Sequence, residues 1–222
     1  NVFDGIDLSA AALPYMGVIE TRILGVPARI FRISFTGELG FEINVPGGFG
    51  YALWIALERA VTAIGGCVYG TDAMHVLRAE KGFVIVGQET DGTISPDDLG
   101  LGHMVGIDKD DFLGKRALEL EEMQRPNRRH LVGLLTERPN VVLDEGAQVT
   151  EMADPPAGTS SLGFVSSAYH SVTLGRAIAL ALVDGGRERA GELLYVPMAD
   201  ESLAVKVVSP VFYDAEGERL RA

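Results

Sequence analysis

Cysteine is nearly absent. Cys67 is the single one in 222 residues, which excludes an intramolecular disulfide. A reducing, cytoplasmic setting fits that usage. No apolar run reaches the roughly 18–20 residues that a membrane-spanning helix needs. The opening stretch, Asn1-Val2-Phe3-Asp4-Gly5, has no basic n-region and no apolar h-region, and reads as the middle of a longer protein. Basic charge is scarce as well: 19 Lys and Arg stand against 31 Asp and Glu, a net charge of −12. That balance argues against nucleic acid and against an anionic membrane as partner, and it leaves a small ligand open. Metal and nucleotide signatures are missing too. His75, His103, His130 and His170 are scattered, without HExxH, CxxC or paired-carboxylate spacing, so no metal is assigned. Gly114-Lys115-Arg116 lacks the upstream glycine and the Ser/Thr of a P-loop. Gly47-Gly48-Phe49-Gly50 lacks the spacing of a dinucleotide-binding turn and reads as the start of a helix. No Ser/His/Asp order is recognisable.

What is present is a globular composition, 47% hydrophobic and 23% charged. The length allows one large domain or two small ones and buries a core without staples. Residues 1–27 are mixed, with Pro14 and Gly17 interrupting any long helix. Residues 28–35 alternate as a strand, and 41–45 form its partner. Leu53, Ala56, Leu57, Ala60, Val61 and Ile64 recur at three- and four-residue spacing, which predicts an amphipathic helix over 49–64, stopped by Gly65-Gly66. A second helix is expected over 72–81, ended by Gly82. A third is expected over 111–123, with Asp110 or Asp111 as N-cap. Cys67, in a short apolar stretch, reads as a buried core thiol.

The character of the chain changes at Gln124-Arg125-Pro126-Asn127, which divides a first domain, 1–125, from a second, 126–222. Beyond it, short strand-like runs recur at 131–136, 147–150, 161–165, 177–183, 193–196 and 203–208, separated by Gly and Asp turns. This pattern predicts a small antiparallel barrel or sandwich, and an α+β protein as a whole.

The candidate chemistry lies in the turn Thr36-Gly37-Glu38-Leu39-Gly40. Its glycines let the backbone take positive φ or approach a ligand closely. Two readings fit Glu38. It is the solvated apex of an ordinary hairpin, or it is a pocket carboxylate accepting two parallel hydrogen bonds from a flat heterocycle. Glu42 reads as a structural carboxylate. Arg78 and Glu80, on one helix, read as structural ion-pairing residues.

Three blocks carry a resemblance. They are Arg32-Ile33-Ser34-Phe35-Thr36-Gly37-Glu38-Leu39-Gly40-Phe41-Glu42, the run from Gly70-Thr71-Asp72-Ala73-Met74-His75 through Gly87-Gln88-Glu89-Thr90-Asp91-Gly92, and Asp111-Phe112-Leu113-Gly114-Lys115-Arg116. Their order and spacing resemble the aminomethyltransferase family, that of the glycine cleavage T-protein. Within it the wording is similar to the oxidase branch, the C-terminal part of the alpha subunit of heterotetrameric sarcosine oxidases. The resemblance implies the C-terminal half of a folate-binding domain followed by a small antiparallel β-barrel. It implies tetrahydrofolate as ligand, with Glu38 on the pterin and Tyr213 at the folate site, where a half-buried barrel tyrosine is the other reading. No residue of this chain is assigned a catalytic role. Flavin and NAD would belong to other parts of the full enzyme, and the partners would be folate and the other sarcosine oxidase subunits. The activity implied is capture of the one-carbon unit from sarcosine N-demethylation as 5,10-methylenetetrahydrofolate. Two alternatives stand beside it: a degenerate folate module serving subunit assembly, and an aminomethyltransferase of glycine cleavage type. Met74 is a departure, because many T-proteins carry there an arginine that helps hold the anionic folate tail. The chain begins about 37 residues before Glu38, where the family has more sequence, including its catalytic aspartate. A fragment is therefore expected, inactive in isolation.

Overall fold

The computed structural model describes residues 2–221. Backbone contacts divide them into two units. One runs up to Arg78 and takes in the chain from Asp214 on; the other is Ala79–Tyr213. Residues 79–125 thus share a unit with the strands that follow Pro126.

The first unit is built on a three-stranded antiparallel sheet, β1 (Val18–Ile23), β2 (Val26–Phe31) and β3 (Glu42–Asn44), in that order. The β1–β2 turn is Leu24-Gly25, with φ of 51° and 80°, and two consecutive positive φ values match the right-handed twist of the strands they join. Sequence reading missed β1, because leucine is not a residue expected at positive φ. It did anticipate the pairing of β2 with β3, in which Ile30 faces Ile43. β2 ends at Phe31, short of the expected Phe35, and residues 32–41 form a long bend between β2 and β3. Helix α1 (Gly50–Ala63) presents Leu53 and Leu57 to the apolar cluster of Leu13, Ile23, Ala28 and Ile30. Its opposite face is open, with Tyr51 78% and Trp54 51% exposed. Cys67, just after α1, is exposed, which corrects the expected core thiol: residues 65–70 form an open connection. Helix α2 (Thr71–Glu80) follows, and the division between the units falls in its last turn.

The second unit holds a six-stranded antiparallel sheet in the order β5-β6-β7-β4-β9-β8. Its strands are β4 (Arg129–Thr136), β5 (Gln148–Val149), β6 (Gly163–Ser171), β7 (Arg176–Asp184), β8 (Leu193–Pro197) and β9 (Ser202–Val208). Thr150 and Tyr195 exchange backbone hydrogen bonds of 2.8 and 2.9 Å, so the two edge strands meet and the sheet closes as a barrel. Closure removes the exposed strand edges. On β7 one face, Ala179, Ala181 and Val183, joins the cluster formed with β4, β8 and β9. The other face, Ile178, Leu180 and Leu182, packs with Ala79, Val84, Ile94 and Leu99. Burial on both faces explains why this strand reads as an unbroken apolar run. The small alanines on the first face suit the narrow interior of a six-stranded barrel.

The helix expected over 111–123 is two short ones, α3 (Lys115–Leu118) and α4 (Glu121–Gln124). Gly114 at φ 97° delays the start, and the extended backbone of Leu120, ψ 143°, breaks the middle. A four-residue helix, α5 (Glu218–Arg221), ends the described chain. No helix among the described residues is long and apolar enough to cross a membrane.

Candidate functional site

The bend between β2 and β3 frames a cleft of about 590 Å³ in the first unit. Its walls carry Phe41, Tyr69, Met74 and Leu77, and its polar groups come from Ser34, Thr36, Glu38 and Glu42. Two glycines shape the bend. Gly37 sits at φ 77°, and a Cβ on Gly40 would lie 3.0 Å from the Ile33 carbonyl oxygen, so the chain folds back on itself where a side chain would intrude. Phe35 leans on His75, with ring centres 6.4 Å apart. Arg32 is buried, lies 5.9 Å over the Phe41 ring and donates to the Leu13 carbonyl at 3.4 Å. This braces the base of the loop.

The two carboxylates of the cleft differ. Glu38 is partly exposed and accepts two contacts from Arg219 Nε, at 2.8 Å on Oε1 and 2.6 Å on Oε2. Glu42 accepts from Asn44 Nδ2 at 3.1 Å. Sequence reading held Glu42 to be structural; it lines the same cleft as Glu38. Ser34 Oγ is buried with no hydrogen-bond partner among the described residues. A buried hydroxyl without a partner is costly, and a polar ligand atom would satisfy it.

In the second unit, Tyr213 is half-buried, and its backbone N–H donates to the Glu80 carbonyl at 3.0 Å beside that of Phe212 at 2.9 Å. Gly82, at φ 68°, permits this approach, since a Cβ there would lie 2.6 Å from the Pro210 carbonyl oxygen. The buried Glu80 carboxylate accepts from Ser171 Oγ at 2.6 Å. Glu89 is fully buried and accepts from the backbone N–H of Ile85 at 2.7 Å and from the hydroxyls of Ser166 and Ser167. A β-bulge at Ser166 brings these two neighbouring hydroxyls to one carboxylate. Asp98 and Arg128 form a buried pair at 2.6 Å, and Arg128 also donates to the carbonyls of Thr93 and Glu122. Burial works to raise the Asp98 pKa, but the hydrogen bonds from Arg128 and Ser95 outweigh it and hold the carboxyl below its ordinary range. Arg128 is raised in turn, chiefly by its bond to Asp98. Neither the Glu89 nor the Asp98 cluster was recognised from sequence. Each joins residues 30 or more positions apart, and only the fold brings them together.

Comparison with known proteins places these features. The GCVT N-terminal domain model matches residues 1–109, and the glycine cleavage T-protein C-terminal barrel domain model matches 129–214. The chain belongs to the glycine cleavage T-protein family. Among T-protein family relatives, it is 43% identical over 218 residues to the sarcosine oxidase subunit alpha of Corynebacterium sp. (strain U-96), covering 96% of this chain and 22% of that subunit. The aminomethyltransferase of Streptomyces coelicolor is 35% identical over 211 residues, covering 93% of this chain and 55% of that protein. The fold matches the crystal structure of glycine cleavage system aminomethyltransferase T from Bartonella henselae, with a TM-score of 0.76 at 24% identity, over 90% of this chain and 53% of that one. The chain thus spans about a fifth of the length of the sarcosine oxidase subunits it matches and about half that of the aminomethyltransferases. The α+β architecture with a closing antiparallel barrel is the T-protein family's.

Proposed function

We propose that this chain is the tetrahydrofolate-binding part of a sarcosine oxidase-type alpha subunit. The observation that carries the reading is the cleft beneath the 32–41 bend, where aromatic and apolar walls surround two carboxylates and a buried hydroxyl that has no partner among the described residues. Those groups suit a reduced pterin. Its flat ring stacks on aromatic faces, and its adjacent N3–H and 2-amino donors match a carboxylate. Glu38 holds the pterin edge, Glu42 stands by as a second acceptor, and Ser34 Oγ takes one ring heteroatom. Met74, on the cleft wall, contributes contact without charge, so the glutamyl tail is held elsewhere. Tyr213 is proposed as a folate contact through its ring face or its hydroxyl. Tetrahydrofolate held there would supply the acceptor for the one-carbon unit of sarcosine N-demethylation, giving 5,10-methylenetetrahydrofolate. The chain's own residues orient it. The identity to sarcosine oxidase subunits supports this context, in which flavin and NAD belong to other regions and the other oxidase subunits are the partners.

Met74 also favours a second reading, a T-protein module whose site no longer binds folate and which serves assembly. Calorimetric titration of tetrahydrofolate into the full-length subunit separates the two. Glu38→Gln should weaken binding about 10- to 100-fold, as expected for charge-assisted hydrogen bonds of roughly 1.5–3 kcal/mol. Tyr213→Ala should weaken it less. No saturable binding to the wild type would overturn the folate reading and leave the assembly module.

A further inference from the structure

We infer that the C-terminal strap, residues 214–221, is a positioning element of the cleft, acting through Arg219 on Glu38; this rests on the folate reading above. The strap belongs to the same unit as the cleft. It is built around Asp214, which turns the chain at φ 48°. The Asp214 carboxylate accepts the N–H groups of Glu218 at 3.0 Å and Arg219 at 3.2 Å, and its carbonyl accepts that of Gly217 at 2.9 Å. These bonds cap α5 and fix the backbone from which Arg219 extends. Its Nε–H then bridges both oxygens of Glu38.

The geometry separates the two charges by role. Glu38 lines the cleft, and Arg219 is not among the residues lining it. One donor shared by two carboxylate oxygens leaves each oxygen a further acceptor site. The guanidinium therefore holds the carboxylate without consuming its capacity for a ligand. The loop alone does not provide this. Gly37 and Gly40 fix where the Glu38 backbone lies, and the Glu38 N–H donates to Thr36 Oγ1 at a long 3.4 Å. The side chain, 31% exposed, gains its orientation from the strap. A pre-oriented carboxylate avoids part of the ordering cost of binding. Exposed ion pairs contribute little to stability, so the effect should appear in ligand affinity and not in folding.

The test is a double-mutant cycle on the full-length subunit, read by tetrahydrofolate titration. Arg219→Ala should weaken binding about 5- to 20-fold, with Arg219→Lys intermediate. The double variant with Glu38→Gln should bind no more weakly than Glu38→Gln alone, a non-additivity that a general structural lesion would not produce. In the ligand-free protein, the Arg219 Nε–H resonance should shift on Glu38→Gln. Unchanged or tighter binding by Arg219→Ala overturns the inference while leaving folate binding intact. Additive losses overturn it as well, and so does an unshifted resonance. A wild type that binds no tetrahydrofolate overturns the folate reading itself.

Discussion

The barrel and the cleft-bearing unit show two ways of using a sheet. In the barrel every strand has neighbours on both sides, and β7 is buried on both faces from Ala177 to Val183. The sheet β1-β2-β3 is open, β3 is three residues long, and alternate positions of β1 and β2 face outward. Closure gives the barrel a continuous core and leaves its edges unavailable for pairing. Openness leaves the other sheet with a long bend between β2 and β3; that bend carries Glu38, and Glu42 opens β3 beside it. The difference teaches where tolerance lies: the barrel is constrained by packing, while the cleft unit spends residues on a loop that packs incompletely.

Breaking the buried ion pair of the barrel unit should have the largest effect. Asp98→Ala leaves Arg128 buried without its carboxylate and should cost about 3–5 kcal/mol in urea unfolding. The pH dependence follows from the direction of the shift. The Asp98 carboxyl is lowered in the fold, so the unfolded chain binds more protons between the two pKa values. The stabilisation is present above about pH 4, near the ordinary aspartate value, and is lost as pH falls through the lower folded value. Asp98→Asn should flatten that acid limb; an unchanged limb would assign it to other carboxylates. Next in size, Leu180→Ala, on a residue with no exposure between β7 and the covering segment, should cost roughly 2–5 kcal/mol.

The sequence revealed these two regions unequally, for physical reasons. Strands such as β4, β7 and β9 were legible because burial made them apolar, and Gly and Asp turns marked their ends. β1 was not legible, since its turn places Leu24 where Gly or Asn is expected. The long helix expected over 111–123 followed its apolar spacing, but spacing does not report that Gly114 takes positive φ or that Leu120 is extended. At the cleft, the Thr36–Gly40 turn was visible as a motif, along with Glu38. Arg219 as its counter-ion was not, because 181 positions separate the two. Glu89 stood inside a recognised block, yet its burial against Ser166 and Ser167 depends on a bulge that no local pattern announces. Sequence carried what is periodic and local, and missed the polar contacts that the fold closes across long separations.

The smaller effects fall in the cleft unit and test whether its packing is as loose as its burial suggests. Leu53→Ala removes the one buried residue of α1, but beside the buried Leu13, Ile23, Ala28 and Ile30 its cluster is made largely of side chains that are only partly buried. That surrounding can relax into the space, so the cost should lie near the low end for such a change, about 2 kcal/mol. A loss as large as that of Leu180→Ala would mean that this small core is packed as tightly as the barrel's, and the contrast between the units would fail. Tyr51→Gln, on the open face of the same helix, should change stability by no more than about 0.5 kcal/mol, because a side chain 78% exposed has little apolar contact to lose. Both variants are read by the same urea titration. If Tyr51→Gln costs as much as Leu53→Ala, α1 is held by its outer face as well, and the exposure seen along that face is not its working state.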